Sequence, residues 1–174
     1  SGHRTSLVPF GPDRWLFAYD GYRVGEMSGV EVALMNLKGV VLDVEKVPKA
    51  NSTVQQREPV LWTDATGQAY LAYSSTGVDQ DGFGVAFRSI SWDNGSLTFG
   101  VEQRVNASGD GDQTAPVVAV AGEAALVVWA TDLVNVAKPY RLSARKVSAS
   151  GPVGFETTLE ETTFPSQDLA ATAV

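Results

Sequence analysis

Cysteine is absent from the 174 residues and histidine occurs once, as His3. Without a thiol there is no disulfide, no thiolate nucleophile and no thiolate metal site. His3 stands beside the N-terminus, where it reads as a tag or processing remnant. A Ser-His-Asp triad or a His-rich zinc site would have to be built around that one residue. Basic clusters are missing too. The 13 Lys and Arg are scattered singly among 20 Asp and Glu, giving a net charge of −7, and both nucleic acid and anionic membrane surfaces repel such a chain. The longest apolar run, Ala115 to Ala130, is interrupted by Gly122-Glu123 and is too short to cross a bilayer as a helix. It reads as two Val-rich strands around a tight turn. The remaining chemistry belongs to carboxylates, Tyr and Arg.

Hydrophobic residues make up 44% and charged residues 19% of the chain, a balance that supports a folded core rather than disorder. No signal peptide is visible, but a mature exported chain would have lost one. A start at Ser1 and a stop inside a strand-like stretch suggest a processed product or a piece of a longer protein.

Self-similarity is the strongest signal. WLFAY (Trp15 to Tyr19), AYLAY (Ala69 to Tyr73) and LVVW (Leu126 to Trp129) each end an apolar run in a large aromatic, and Tyr19, Tyr73 and Trp129 are 54 and 56 positions apart. A short apolar strand precedes each: LVPF from Leu7, PVLW from Pro59, PVVAV from Pro116. A polar loop and an alternating strand follow each: VEVALM, GVAFRSI and YRLSARKV. A fourth strand comes after a further turn. Four short strands in meander order, repeated at about 55 residues, are the pattern of β-propeller blades, whose period is roughly 40 to 50 in the common families. The expected fold is all-β: a β-propeller segment of about three four-stranded antiparallel blades, at about 5–50, 57–106 and 114–162, with one extra strand opening a further blade at 168–174. Tandem immunoglobulin-like sandwiches need about 100 residues per unit. A lone four-stranded sheet buries neither of its apolar faces, so Tyr19, Tyr73 and Trp129 are expected to pack blade against blade.

In SISWDNGSLTF (Ser89 to Phe99), Ser91, Asp93 and Gly95 resemble the Asp box of sialidase-like propellers, with Leu97 where Thr belongs and Phe99 one residue late. An ordinary Asn-Gly hairpin accounts for the same letters. Over the whole chain, Pro opens the first strand, an aromatic ends the second and a Ser-Gly turn follows the third. In these features the units resemble repeats of large bacterial secreted and surface proteins of myxobacterial type. The resemblance implies a propeller and an extracellular, cell-surface or periplasmic location. A sialidase would also need an arginine cluster; Arg88, Arg141 and Arg145 are present, but the Arg-Ile-Pro motif is not.

In a propeller the loops from second to third strand and from blade to blade share one end of the axis. Here they carry Asp20, Tyr22, Arg23, Asp79, Asp81, Asp110, Asp112 and Asp132, the expected ligand-binding set. Paired carboxylates with Tyr and Arg suit sugar binding or a glycosidase acid/base pair. Asp79 and Asp81, followed by Gly82, are the expected metal residues if calcium binds, because that ion takes several hard oxygens around a flexible turn; no other cofactor is expected. Sequons at Asn51, Asn94 and Asn106 permit glycosylation in a eukaryotic secretory setting. The leading expectation for function is a non-enzymatic propeller surface that binds or scaffolds protein or glycan. The alternative is part of a sialidase-like or other glycan-processing propeller. Closure is expected to need the rest of a longer propeller or additional copies as partners.

Overall fold

Each unit of the repeat folds as its own antiparallel sheet. The computed structural model describes residues 4–22, 27–79, 81–133 and 140–162. The first sheet holds β1 (Thr5–Phe10), β2 (Arg14–Gly21), β3 (Gly29–Asn36) and β4 (Val41–Lys46). The second holds β5 (Gln56–Thr63), β6 (Ala69–Ser75), β7 (Gly84–Asp93) and β8 (Ser96–Phe99), with the two-residue β9 (Gln103–Arg104) also pairing with β7. The third holds β10 (Asp112–Ala121), β11 (Ala124–Asp132), β12 (Tyr140–Ser148) and β13 (Gly151–Thr162). Strands pair in chain order within every sheet, and there is no helix among the described residues. The expected opening strand at 168–174 lies outside the described residues.

Local chemistry sets the turns. Asn94 and Gly95 both adopt positive φ (50° and 86°) between the paired residues Asp93 and Ser96, the two-residue reversal that Asn-Gly favours. Asp93 takes a hydrogen bond from the Asn94 side chain and closes no backbone turn, so this is an ordinary hairpin and the likeness to an Asp box is not supported. Turn closure by a short side chain occurs elsewhere. Asp64 Oδ1 accepts from Thr66 N, Thr66 Oγ1 and Gln68 N after β5. Asn36 Oδ1 accepts from Lys38 N and Val40 N after β3. Both are the self-closing turns typical of Asx residues.

The sheets stack face to face through two apolar layers. One face of the first blade (Leu16, Ala18, Val30, Val32, Leu34) meets the second blade through Leu61, Leu71, Tyr73, Ala86 and Ile90. The opposite face of the second blade (Trp62, Tyr70, Ala72, Val85, Phe87) meets the third through Val118, Ala125, Val127 and Trp129. Being covered on both sides, β6 is buried along its whole length, which is why AYLAYSS does not alternate. The first strands β1, β5 and β10 lie side by side and so line the axis. Tyr73 and Trp129 are fully buried in these layers, as packing residues should be. Tyr19 is half-buried and stacks on Phe17 (ring centroids 5.5 Å), because it faces away from the second blade.

Several polar groups inside the layers are paired, while Trp129 Nε1 and Ser143 Oγ are buried without a hydrogen-bond partner among the described residues. Arg88 donates to the Tyr73 hydroxyl (2.9 Å), Gly100 O (2.6 Å) and Pro48 O (3.1 Å), and the Tyr73 hydroxyl hydrogen-bonds Glu102. Burial, with Glu102 beside it, pushes the Tyr73 hydroxyl far above its ordinary value. Arg145 donates to Gly154 O and Val105 O. Arg88 and Arg145 therefore fix sheets and connections, and do not converge on a substrate carboxylate as a sialidase cluster would. The sequon residue Asn106 is 2% exposed and donates to Asp79, Ser108 O and Gln113, a position no glycan can reach in the folded chain.

The far face of the first blade has no neighbour among the described residues. Cross-strand rows Leu7–Phe17–Ala33–Val44 and Pro9–Trp15–Met35 lie there, with Leu7 and Val44 exposed.

Trp129→Ala should cost roughly 3–5 kcal/mol through the cavity it opens between the second and third blades, read as a lowered midpoint in denaturant with the far-UV spectrum retained. An unchanged midpoint would remove Trp129 from the packing.

Candidate functional site at the axial end

One end of the axis collects the starts of β5 and β10, the ends of β2, β6 and β11, and the blade-to-blade connections. The entry into each first strand is built alike. Gln56 and Gln113 are fully buried. The Gln56 N–H donates to Ser28 O (2.9 Å) and that of Gln113 to Phe83 O (2.6 Å). Gln56 Nε2 holds Pro48 O (3.1 Å), while Gln113 Nε2 holds Asp110 O (2.8 Å) and Gly111 O (2.9 Å). Each glutamine thus staples the incoming connection to the strand it opens. Two residues on, the ladder slips at a bulge between Arg57 and Val60 and at another between Thr114 and Val117. The bulge residues Glu58 and Ala115 carry positive φ of 57° and 54°. That conformation costs a non-glycine residue about 1–3 kcal/mol, and its repetition marks it as part of the blade design.

The side chain at the bulge is what differs. Glu58 Oε2 accepts from Ser74 Oγ (2.8 Å) and from Ala115 N (2.7 Å), with Arg57 Nε at 3.8 Å. Its other oxygen accepts nothing from the described residues, and the side chain is 21% exposed. The Glu58 N–H in turn donates to Asp20 Oδ2 (2.9 Å). A carboxylate from each of two blades therefore receives the bulge amide of the next blade, and the pair forms one chain of contacts: Asp20, Glu58, Ala115. The Arg57 guanidinium carbon lies 3.8 Å from the Phe83 ring centroid, and its buried Nε has no hydrogen-bond partner among the described residues. Such an arrangement can hold a sugar's hydroxyls and present a fixed carboxylate oxygen to an anomeric centre.

The other expected residues are placed differently. The Asp79 side chain is 1% exposed, 3.0 Å from Arg104 Nη2, and accepts from Asn106 Nδ2 (2.8 Å). Asp81 donates its N–H to Asp79 Oδ1 (3.3 Å) and accepts from Gly111 N (3.4 Å). Asp112 Oδ1 accepts from Phe83 N (2.8 Å) and lies so close to Gly82 that a Cβ there would be 2.1 Å away. A Cβ on Gly111 would likewise lie 2.0 Å from the Asp132 carbonyl oxygen, and Asp110 meets Ser108 Oγ (3.3 Å). These groups stitch the β6–β7 loop to the connection between the second and third blades. Among the described residues no three His, Cys, Asp or Glu side chains come together to hold a metal ion. Tyr22 is exposed, and Arg23 lies outside the described residues. Of the expected set, only Asp20 joins the carboxylate at the bulge. Glu58 and Arg57 were not among the expected residues; the signal for them was the contrast of QREPV with QTAPV, two openings that agree at Gln, Pro and Val and differ between.

No protein-family model and no curated protein sequence matches the chain. Among solved structures it is similar to an endo-arabinase from Bacteroides thetaiotaomicron, at 13% identity and a TM-score of 0.59 over 90% of this chain and 61% of that one. It is also similar to an exo-1,5-alpha-L-arabinanase from a bovine ruminal metagenomic library, at 14% identity and a TM-score of 0.51 over 90% and 59%. The chain spans about three fifths of the length of both. Arabinanases are five-bladed β-propellers, and the likeness establishes a propeller-type fold here. It does not support myxobacterial repeats or a sialidase Asp box. The propellers it resembles are glycan-hydrolysing enzymes, which corrects the leading expectation of a non-enzymatic binding or scaffolding surface in favour of the glycan-processing alternative.

Asp79→Ala removes the ion-pair partner of Arg104 and one of the acceptors of the buried Asn106 amide, and should destabilise by about 1.5–3 kcal/mol, the range for hydrogen bonds to a charged group, because Arg104 is one-third exposed and Asn106 keeps Ser108 O and Gln113. Urea denaturation measures it, and a loss below about 0.5 kcal/mol would show that Asp79 is not holding this connection.

Proposed function

We propose that the chain is a three-blade sector of a glycan-processing β-propeller that hydrolyses glycosidic bonds, with Glu58 as a reacting carboxylate and Asp20 as its neighbour in the acid/base pair. The observation that carries this reading is the anchoring of Glu58: one oxygen is held by two donors at the axial end and the other is left uncommitted, on a backbone whose conformation is strained and repeated. Glycoside hydrolysis needs two carboxyl groups flanking the scissile bond, one to protonate the leaving oxygen and one to attack or to activate water. Asp20 and Glu58 supply two from adjacent blades, linked through a single amide. The two similar propellers being arabinanases makes a polymer of pentose sugars the first substrate to try. A polysaccharide substrate also favours work outside the cytoplasm.

Glu58→Gln keeps the size of the side chain and an oxygen to accept from Ser74 and Ala115. It should lower release of reducing sugar from arabinan by about 10²–10⁴-fold with little change in melting temperature. Undiminished hydrolysis by a folded Glu58→Gln protein, or no hydrolysis by the wild-type chain of arabinan or of other neutral polysaccharides, would sink the reading.

The closing partner is part of the same proposal. Three blades of a five-bladed ring leave a sector of two, and the bare face of the first blade is of the kind that the first and second blades cover in their neighbours. Further blades of this type, covalently joined or not, complete the ring. Light scattering on this chain alone should accordingly show self-association. A monodisperse monomer that binds no hydrophobic dye would show that the face needs no cover.

A further inference from the structure

We infer that Arg57 is the sugar-binding arm of the axial site and that the glycan it grips is neutral, held through a pair of adjacent hydroxyl groups. This rests on the axial site proposed above and names its substrate class. Arg57 opens β5 immediately before Glu58, and its guanidinium lies over Phe83, itself 9% exposed. Contact with the ring holds the fork, and the side chain remains 38% exposed. Among the described residues no atom accepts a hydrogen bond from it; the one charged neighbour, Glu58 Oε2, is 3.8 Å from Nε, beyond hydrogen-bond reach. A planar cation with unspent in-plane donors, pinned beside a carboxylate with one uncommitted oxygen, matches two neighbouring oxygens of a ligand.

Charge decides which oxygens. Glu58 already balances the guanidinium, Asp20 accepts the Glu58 amide, Asp112 accepts from the N–H of Phe83 itself, and the chain as a whole carries −7. A uronate would enter a site with no positive charge to spare among the described residues and against a repelling field. Vicinal hydroxyls accept from the guanidinium and donate to the free Glu58 oxygen at no such cost. Arg57 thereby sets the register of the sugar against Glu58.

Binding is measured by calorimetry in an Asp20→Asn background, which removes the acid/base partner, leaves an amide oxygen to accept from the Glu58 N–H and keeps the Glu58 charge, with arabino-oligosaccharides and galacturonate oligosaccharides of equal length as probes. Adding Arg57→Met preserves the apolar cover on Phe83 and removes the donors. The neutral probe should bind about tenfold more weakly or worse with an unchanged melting temperature, and Arg57→Lys should not restore it, since an ammonium lacks the planar fork. The galacturonate probe should bind more weakly than the neutral one throughout. Equal binding of the neutral probe with and without Arg57, tighter binding of galacturonate, or binding of neither overturns the inference. Arg57-dependent binding with no hydrolysis by the wild-type chain would leave the arm standing and remove the hydrolase. Hydrolysis whose KM ignores Arg57→Met would do the reverse.

Discussion

A four-stranded sheet of this composition has two apolar faces, and everything else in the molecule follows from the need to cover both. In the middle blade the requirement is met: β6 is buried from Ala69 to Ser75, and Leu71 and Tyr73 are committed to one neighbour while Tyr70 and Ala72 are committed to the other. At about 25 cal/mol per Å² of apolar surface, these layers dominate the stability of a chain with no disulfide to assist. They also determine where polar chemistry is possible. Strand flanks are consumed by packing, so only the strand ends and connections can carry groups that meet a ligand.

Stacked blades must also be tied at their ends, and here the ties are made by side chains rather than by strand pairing. The glutamine staples at Gln56 and Gln113, the bulges after them, and the acceptance of one blade's bulge amide by the previous blade's carboxylate recur from blade to blade. The roles can be redistributed without changing the architecture. Asp20 on β2 receives the second blade's amide directly. The equivalent position in the next blade is Ser74, which instead orients Glu58 to receive the third blade's amide. The same tie is thus made from the bulge itself, which moves a carboxylate from the second strand to the first, toward the axis.

Legibility from sequence divides along the same line. The fold was readable because apolar alternation, an aromatic at the end of each second strand, and the 54- and 56-residue spacings are local records of the packing requirement. Asn94-Gly95 likewise announces its hairpin by backbone preference alone. The proposed site was not readable in the same way. Asp79, Asp81 and Asp112 look like ligands in the sequence because acidic residues beside glycine suit ion binding. Folded, Asp79 is paired with Arg104, and one oxygen of Asp112 holds Phe83 N against Gly82. Sequence gives the residue types but not which donors tertiary structure will spend on them. Glu58 escaped notice for the opposite reason, since QREPV reads as an ordinary strand opening. Only the contrast with QTAPV marks it in the sequence, and only its one-sided anchoring distinguishes it in the fold.

Why the reacting group proposed here should sit at a bulge has a physical answer. A residue within a regular strand directs its side chain to one of two faces, both of which the stacked blades fill. The bulge breaks that alternation, frees one residue from the ladder and turns it along the axis. The left-handed conformation this requires is unfavourable for glutamate, as it is for alanine at the matching place in the next blade, and both blades bear it because the ladder on either side holds them there. The backbone strain therefore belongs to the scaffold, and the chemistry is added by choosing the side chain: alanine where only the tie is needed, glutamate where the tie and a free carboxylate oxygen are wanted together.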